Sequence, residues 1–162
     1  MAEHADYQVA ETGFTLYGAF FQNVAREIGK ERALALQCEL GASFGRQTAG
    51  SIQKKSAGGT IGVRTLNAAQ EARAISFGCV PELETAGSVA RLTVRECPLY
   101  DGLRASGLDH ASVEAICRGI SVAEYAALHE ACPAVEASLE FRATPDGACA
   151  TRDDGQPAWR SA

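Results

Sequence analysis

Residues 88–96 read Ser-Val-Ala-Arg-Leu-Thr-Val-Arg-Glu, and this stretch decides the predicted fold class. Its small and apolar residues Ala90, Leu92 and Val94 alternate with polar or basic residues, which is the two-residue period of a half-buried β-strand. The strand is expected to end at Cys97-Pro98, because proline lacks the N–H group that a sheet ladder requires. At least one strand therefore follows a long helical region.

The segment before this strand has the three-and-four spacing of amphipathic helices. One helix is predicted over residues 13–28, with Gly29 as its stop, and a second begins near Lys30. The second helix is rich in small residues. Glycine in a helix interior costs about 1 kcal/mol relative to alanine, so these glycines indicate either close packing or a break near residues 41–45. Residues 65–77 return to helical spacing.

Shorter helices are predicted after the strand. One covers residues 99–106, and a second is capped by Asp109 and ends near Arg118, with Gly119 as its stop. Ser121 with Glu124 forms a capping box, which predicts that a new helix opens there.

The end of the chain returns to strands. One is predicted over residues 134–143 and another at Cys149, joined by a tight turn at residues 145–147. This order predicts an α+β fold with N-terminal helices packed against a mainly antiparallel sheet and further short helices. We expect a single domain over residues 13–152, a loose leader over residues 1–12 and a polar tail over residues 153–162.

Composition limits the classes of partner. The 162-residue chain has a formal net charge of −5, and its lysines and arginines are scattered, which argues against nucleic acid as a partner. No apolar run is long enough to cross a bilayer. The N-terminal residues do not form a secretion signal, so we expect reduced cysteines, no structural disulfide and a cytoplasmic location. The small residues of the second helix predict a homodimer through the N-terminal helices.

Three of the six cysteines lie at predicted element boundaries: Cys97, Cys117 and Cys149. A thiol beside a strand end or a helix terminus can be exposed and have a lowered pKa, so we expect these three to meet in one pocket. They could supply a thiolate nucleophile, or three ligands of a Zn²⁺ ion whose fourth position is open to water. Ordinary buried cysteines are the alternative. Cys38 and Cys79 are assigned to packing.

Several segments resemble the C-terminal half of the L-2-amino-thiazoline-4-carboxylate hydrolase family. They are residues 94–100, which contain Cys97-Pro98, then Gly107-Leu108, Ile116-Cys117, residues 135–141 and residues 146–149. A more distant resemblance is to the ligand-binding domains of the four-vinyl-reductase type.

The resemblance implies ring-opening hydrolysis of a C–N bond in a cyclic amidine that carries a carboxylate. In such a reaction the thiolate of Cys97 or Cys117 would attack the electrophilic carbon, and Tyr100 or Asp101 would manage a proton. Arg118 or Arg95 would bind the substrate carboxylate beside Cys149, although a surface salt bridge is the alternative for either arginine. A non-catalytic small-ligand-binding module, with structural or zinc-bound cysteines, is the second function class.

Overall fold

Helices come first in this chain and most strands follow, in the α+β order that the sequence predicts. In the computed structural model the helices are α1 (Ala2–Ile28), α2 (Lys30–Lys55), α3 (Val63–Ser76), α4 (Pro98–Ala105) and α5 (His110–Ala131). The strands are β1 (Val80–Ala86), β2 (Val89–Glu96), β3 (Val135–Ala137), β4 (Arg142–Ala143), β5 (Cys149–Ala150) and β6 (Trp159–Ser161). The structure describes the backbone of residues 2–55, 63–86, 89–131, 135–137, 142–143, 149–150 and 159–161, and side chains mostly within residues 6–54, 68–84 and 92–130.

The sheet is antiparallel, as predicted, with four strands in the order β1-β2-β6-β3 and a separate pair, β4-β5. Strand β2 covers residues 89–96 of the predicted stretch 88–96. Strand β1 was not predicted, and Pro81 argues against a central strand at this position. The strand lies at the edge of the sheet, where proline is tolerated, and the β1–β2 register shifts between Val80 and Pro81.

Helix α5 is longer than expected. The predicted stop at Gly119 and the predicted capping box at Ser121 and Glu124 are wrong, because one uninterrupted helix runs through all three positions. Gly119 is small for a packing reason: a Cβ at this position would lie 3.2 Å from Sγ of Cys38 on α2. Glu124 is buried within the helix rather than placed at its start.

The glycines of α2 permit close packing and do not break the helix. A Cβ added to Gly41 would overlap the carbonyl oxygen of Ile120, and one added to Gly45 would overlap that of Glu124. The backbones of α2 and α5 therefore approach closely along this line. The small residues that suggested a homodimer thus serve a contact within the chain.

Both ends of the chain depart from expectation. Helix α1 begins at Ala2, so residues 2–12 of the expected leader lie in a helix. Within the expected polar tail, Trp159–Ser161 forms strand β6, which pairs with β2 and β3. The predicted strand over residues 134–143 corresponds to β3 and β4. Its residues 138–141 and the predicted turn at residues 145–147 lie outside the described part of the chain.

The apolar core lies between α1, α2, α4 and α5. Its fully buried members include Leu103 of α4 and Val113 and Ile116 of α5, and each such side chain contributes roughly 1.5–3 kcal/mol on burial. Cys97 and Cys117 both pack against this core. Among the described residues, every helix is too short or too polar to span a membrane.

Candidate functional site

Cys97 lies at the junction between β2 and α4. It has an extended backbone, with φ −133° and ψ 103°, and it occupies the N-cap position of α4. Its carbonyl oxygen accepts the N–H of Asp101 at 3.1 Å, which is the first backbone bond of the helix. Pro98 fills the first helical position, where the missing N–H of proline costs no hydrogen bond. The strand end and the proline together fix the position of the Cys97 backbone.

Cys79 lies beside Cys97. Its Sγ lies 4.0 Å from Sγ of Cys97 and donates a weak hydrogen bond to it. The sequence assigned Cys79 to packing, and the structure places it in the site instead. The two residues come from the two strands of one hairpin, each just beyond the last ladder pair, Val80 with Glu96.

The register shift in the hairpin creates this neighbour relationship. From Pro81 to Ala86 the strands pair in one register, with Pro81 opposite Val94, but the next pair is Val80 opposite Glu96, so Arg95 is skipped as a bulge residue. Without this extra residue Cys79 would stand opposite Glu96. The bulge moves it opposite Cys97.

The end of α3 also fixes Cys79. Gly78 has a φ of +78°, its N–H bonds the carbonyl of Ile75 at 2.9 Å, and the N–H of Cys79 bonds the carbonyl of Ala74 at 3.0 Å. These two bonds form a Schellman motif, which ends a helix with a glycine in the left-handed region. The motif ends α3 and places the next residue, Cys79, beside Cys97.

The surroundings of Cys97 lower the pKa of its thiol. The largest cause is the hydrogen bond from Cys79, and the burial of Cys97 opposes it by raising the pKa. The backbone N–H groups of Tyr100 and Leu99, at the positive end of α4, lower the pKa further, whereas the negative charge of Asp101 raises it. The net effect is a pKa of the Cys97 thiol below its usual value.

Asp101 is bound by a residue from the start of α1. The hydroxyl of Tyr7 donates a hydrogen bond to Oδ2 of Asp101. Burial raises the pKa of Tyr7 well above its usual value, and the bond to Asp101 and the negative charges of Asp101, Cys97 and Glu11 raise it further. Tyr7 therefore keeps its proton at neutral pH. Three segments converge here: the start of α1, the turn after α3 and the start of α4.

Tyr100 acts on Cys97 through its backbone. Its side chain is 3% exposed, and its hydroxyl lies 3.0 Å from Nδ1 of His110, the first residue of α5. The two rings meet edge to face, with their centroids 6.2 Å apart. The Tyr100 hydroxyl is therefore hydrogen-bonded to α5. Of the two proton carriers proposed from the sequence, Asp101 is the one whose side-chain charge acts on Cys97.

Cys117 lies in the middle of a helix rather than at its end, because α5 continues to Ala131. This placement corrects the predicted boundary position. The side chain is 4% exposed. Burial and the nearby Cys117 raise the pKa of Tyr17 to about 12, and the Tyr17 hydroxyl oxygen is buried with no hydrogen-bond partner among the described residues. Cys117 and Cys97 thus border one core, but burial at Cys117 favours the packing alternative.

Of the predicted carboxylate-binding residues, the structure describes the side chain of Arg118. Arg118 pairs with Glu114 at 2.8 Å on an exposed face of α5, which is the surface salt bridge named as its alternative. Arg95 is the bulge residue of β2, and its side chain lies outside the described residues. The same holds for Cys149, whose strand β5 pairs with β4 and lies close to β2.

Within the described side chains, no three metal-binding groups lie close enough together to hold an ion. The proposed zinc set of Cys97, Cys117 and Cys149 includes a side chain outside this part, so it stays a prediction.

Comparison with known proteins adds no assignment. No family model matches the chain, and neither the curated proteins nor the solved structures contain a match to it. The surroundings of Cys97 are therefore the main basis for a functional inference.

Proposed function

We propose that this protein is a hydrolase that opens a cyclic amidine carrying a carboxylate, with Cys97 as its nucleophile. The supporting observation is the setting of Cys97, where a thiol and two backbone N–H groups stabilise its anion at a helix N-terminus. A thiolate is the reactive form of cysteine in nucleophilic catalysis. The substrate class comes from the family resemblance of residues 94–100 and the segments that follow.

Cys97 would act in two steps. Its thiolate adds to the amidine carbon, the C–N bond of the ring breaks, and the departing nitrogen takes a proton from solvent. Water then attacks the same carbon, a carboxylate accepts the proton of the water, and the C–S bond breaks. This second step restores the thiolate and releases the ring-opened product.

Asp101 is the better candidate for accepting the proton of the water. Its carboxylate acts electrostatically on Cys97, and the protonated Tyr7 hydroxyl holds it in place. Tyr100 is the second candidate, and its hydroxyl forms a hydrogen bond with Nδ1 of His110. For the substrate carboxylate, Arg95 is preferred over Arg118, because Arg95 lies two residues before Cys97 in the chain and Arg118 already pairs with Glu114. Cys149 would complete the lining.

The experiment is turnover of L-2-amino-thiazoline-4-carboxylate by the full chain. Cys97→Ser should lower kcat by roughly 1,000-fold or more, because a serine hydroxyl is almost un-ionised at neutral pH. Cys38→Ala is the matched control, because Cys38 lies on α2 and its Sγ faces Gly119 of α5. Full activity in the Cys97→Ser protein, with an unchanged circular dichroism spectrum, would reject Cys97 as the nucleophile.

A non-catalytic binding module with zinc-bound cysteines is the second candidate function. The supporting observation is the 4.0 Å between the two sulfurs, because two thiolates on one tetrahedral Zn²⁺ lie about 3.8 Å apart. Further ligands would come from side chains outside the described residues. Metal analysis of the purified protein tests this candidate: it requires zinc in a stoichiometric amount, lost in Cys79→Ser and Cys97→Ser proteins.

We also propose a cytoplasmic homodimer that associates through the N-terminal helices. The support is now an exposed apolar stripe on α1, formed by Val9, Leu16 and Phe20, each more than 60% exposed. A contiguous exposed apolar surface can mark a protein–protein interface. Light scattering of the wild type should give twice the chain mass, and Leu16→Glu should give the mass of one chain.

A further inference from the structure

We propose that Cys97 and Cys79 form a reversible oxidation site, which takes a hydroperoxide as its oxidant and stores the oxidation as a Cys79–Cys97 disulfide. The proposal concerns sulfur chemistry and does not require that the protein turns over an amidine. Its main support is geometric: the two thiols are neighbours across a hairpin, with 4.0 Å between their sulfurs.

The position of the two cysteines beside a ladder pair favours a disulfide. Residues opposite each other on antiparallel strands have Cα atoms about 4.5–5.5 Å apart, within the 4.4–6.8 Å that disulfides use. Cys79 directly precedes Val80, and Cys97 directly follows Glu96, so the two cysteines flank this last ladder pair on the same side. The sulfurs would have to approach by about 2 Å to reach the bond length of about 2.05 Å, a distance that rotation of two side chains can supply.

Backbone hydrogen bonds also fix the positions of both cysteines. The N–H of Cys79 is bound to α3 through Ala74, and the carbonyl of Cys97 is bound to α4 through Asp101. The pair therefore stays together without any rearrangement of the strands. A disulfide would link the end of α3 covalently to the start of α4.

The two cysteines are not equivalent. The sulfur of Cys97 accepts a hydrogen bond from the Cys79 thiol and from backbone N–H groups at the start of α4. Cys79 is the donor in this pair. Cys97 should therefore attack the peroxide, and Cys79 should resolve the product.

The chemistry proceeds in two balanced steps. The Cys97 thiolate attacks one oxygen of the hydroperoxide, the O–O bond breaks, and the other oxygen leaves with a proton as an alcohol or water. Sulfur is thereby oxidised to a sulfenic acid. Cys79 then attacks the Cys97 sulfur, the S–O bond breaks, water leaves, and the disulfide forms. Two thiols lose two electrons, which the peroxide receives, and a dithiol reductant reverses the change.

If the hydrolase proposal also holds, the disulfide switches that activity off, because it consumes the nucleophile. This consequence rests on the proposed function, whereas disulfide formation does not. Measuring the disulfide without any substrate separates the two proposals.

The arrangement of tryptic sites makes the test direct. Cleavage after Arg73, Arg91, Arg95 and Arg104 places Cys79 in peptide 74–91 and Cys97 in peptide 96–104. The reduced full chain is treated with one to ten equivalents of hydrogen peroxide, alkylated, digested without reductant and analysed by mass spectrometry. We expect a cross-linked 74–91/96–104 species as the main product, and its loss on treatment with dithiothreitol.

Variants assign the roles of the two thiols. In Cys79→Ser, the disulfide should be lost and a sulfenic acid should accumulate on peptide 96–104, where dimedone captures it. In Cys97→Ser, peptide 74–91 should stay reduced at the same peroxide dose. Cys38→Ala should behave as the wild type, and circular dichroism verifies that each variant is folded.

Three results would overturn the proposal. The first is a wild-type protein whose Cys97 passes directly to the sulfinic acid, with no cross-linked species. The second is a main disulfide that joins other peptides, and the third is a sulfenic acid on Cys79 rather than on Cys97. Loss of amidine hydrolysis, or its absence throughout, leaves these readouts unchanged.

Discussion

Tyr7, near the start of α1, donates its hydroxyl hydrogen bond to Asp101 of α4, 94 residues later in the chain. This bond joins the first helix to the junction that carries Cys97, and it explains why the first turns of α1 belong to the folded unit. Asp101 has two effects there: it binds Tyr7, and its charge opposes ionisation of Cys97.

Asp101→Asn should make Cys97 more acidic. The substitution removes the negative charge that raises the pKa of the Cys97 thiol, while the amide oxygen can still accept from Tyr7. The pH dependence of iodoacetamide alkylation, followed on peptide 96–104, should shift to lower pH than in the wild type. Alkylation that shifts to higher pH would contradict the electrostatic role assigned to Asp101.

Cys79→Ala should have the opposite effect on the same readout. Removing the sulfhydryl donor takes away the largest cause of the lowered pKa of Cys97, so alkylation of Cys97 should move to higher pH. Cys79→Ser is the matched control, because its hydroxyl can still donate, and it should fall between the alanine variant and the wild type. Identical profiles in all three proteins would remove Cys79 from the site.

Local patterns predicted much of this junction. The alternation in β2, the break at Cys97-Pro98, the short helix after it and the glycine at residue 107, which has a φ of +92°, all follow from neighbouring residues. These features depend on the chain within a few residues of each position, which is the information that sequence patterns carry.

The partner thiol could not be predicted in the same way. Cys79 reaches Cys97 only through the pairing of β1 with β2 and the bulge at Arg95, and neither is encoded in a local period. A hairpin centred near residues 87–88 would have been the available signal, since it sets residues near 79 opposite residues near 97. Pro81 argued against predicting that strand, because proline is confined to edge strands and bulges.

Helix α5 shows how packing overrides local stop signals. Gly119 and the Ser121–Glu124 pair have the form of a helix stop and a helix start. In the structure the contact between α2 and α5 needs a small residue at position 119, so the same glycine serves packing within one helix. The distinction depends on a partner about 80 residues away in the sequence.

Two glycines of α2 should respond in opposite directions to alanine. Gly41→Ala would overlap the carbonyl oxygen of Ile120, a backbone atom that cannot move aside freely, and should destabilise the protein by about 1–3 kcal/mol. Gly50→Ala is the matched control, since nothing lies within 4 Å of its added Cβ, and should stabilise by up to about 1 kcal/mol. Urea unfolding measures both. Equal effects of the two substitutions would contradict the close approach of α2 to α5.

Asp109 should stabilise the start of α5 in a pH-dependent manner. Its Oδ1 accepts the backbone N–H of Ser112 at 2.7 Å, as an N-cap does. The side chain and the backbone N–H of Ser112 hold the pKa of Asp109 below its usual value, and the charges of Lys30 and Arg104 assist, while desolvation opposes them. Because the folded-state pKa is depressed, this stabilisation is fully present above the unfolded value of about 3.9 and is lost as the pH falls through the folded value.

Asp109→Ala should therefore melt at a lower temperature than the wild type at pH 7, and the difference in Tm should shrink as the pH is lowered below about 4. Asp109→Asn is the control, since an asparagine caps a helix about as well as an aspartate but does not titrate. Its Tm should stay closer to that of the wild type at pH 7. A Tm difference for the alanine variant that persists unchanged into strong acid would show that the carboxylate does not supply the cap.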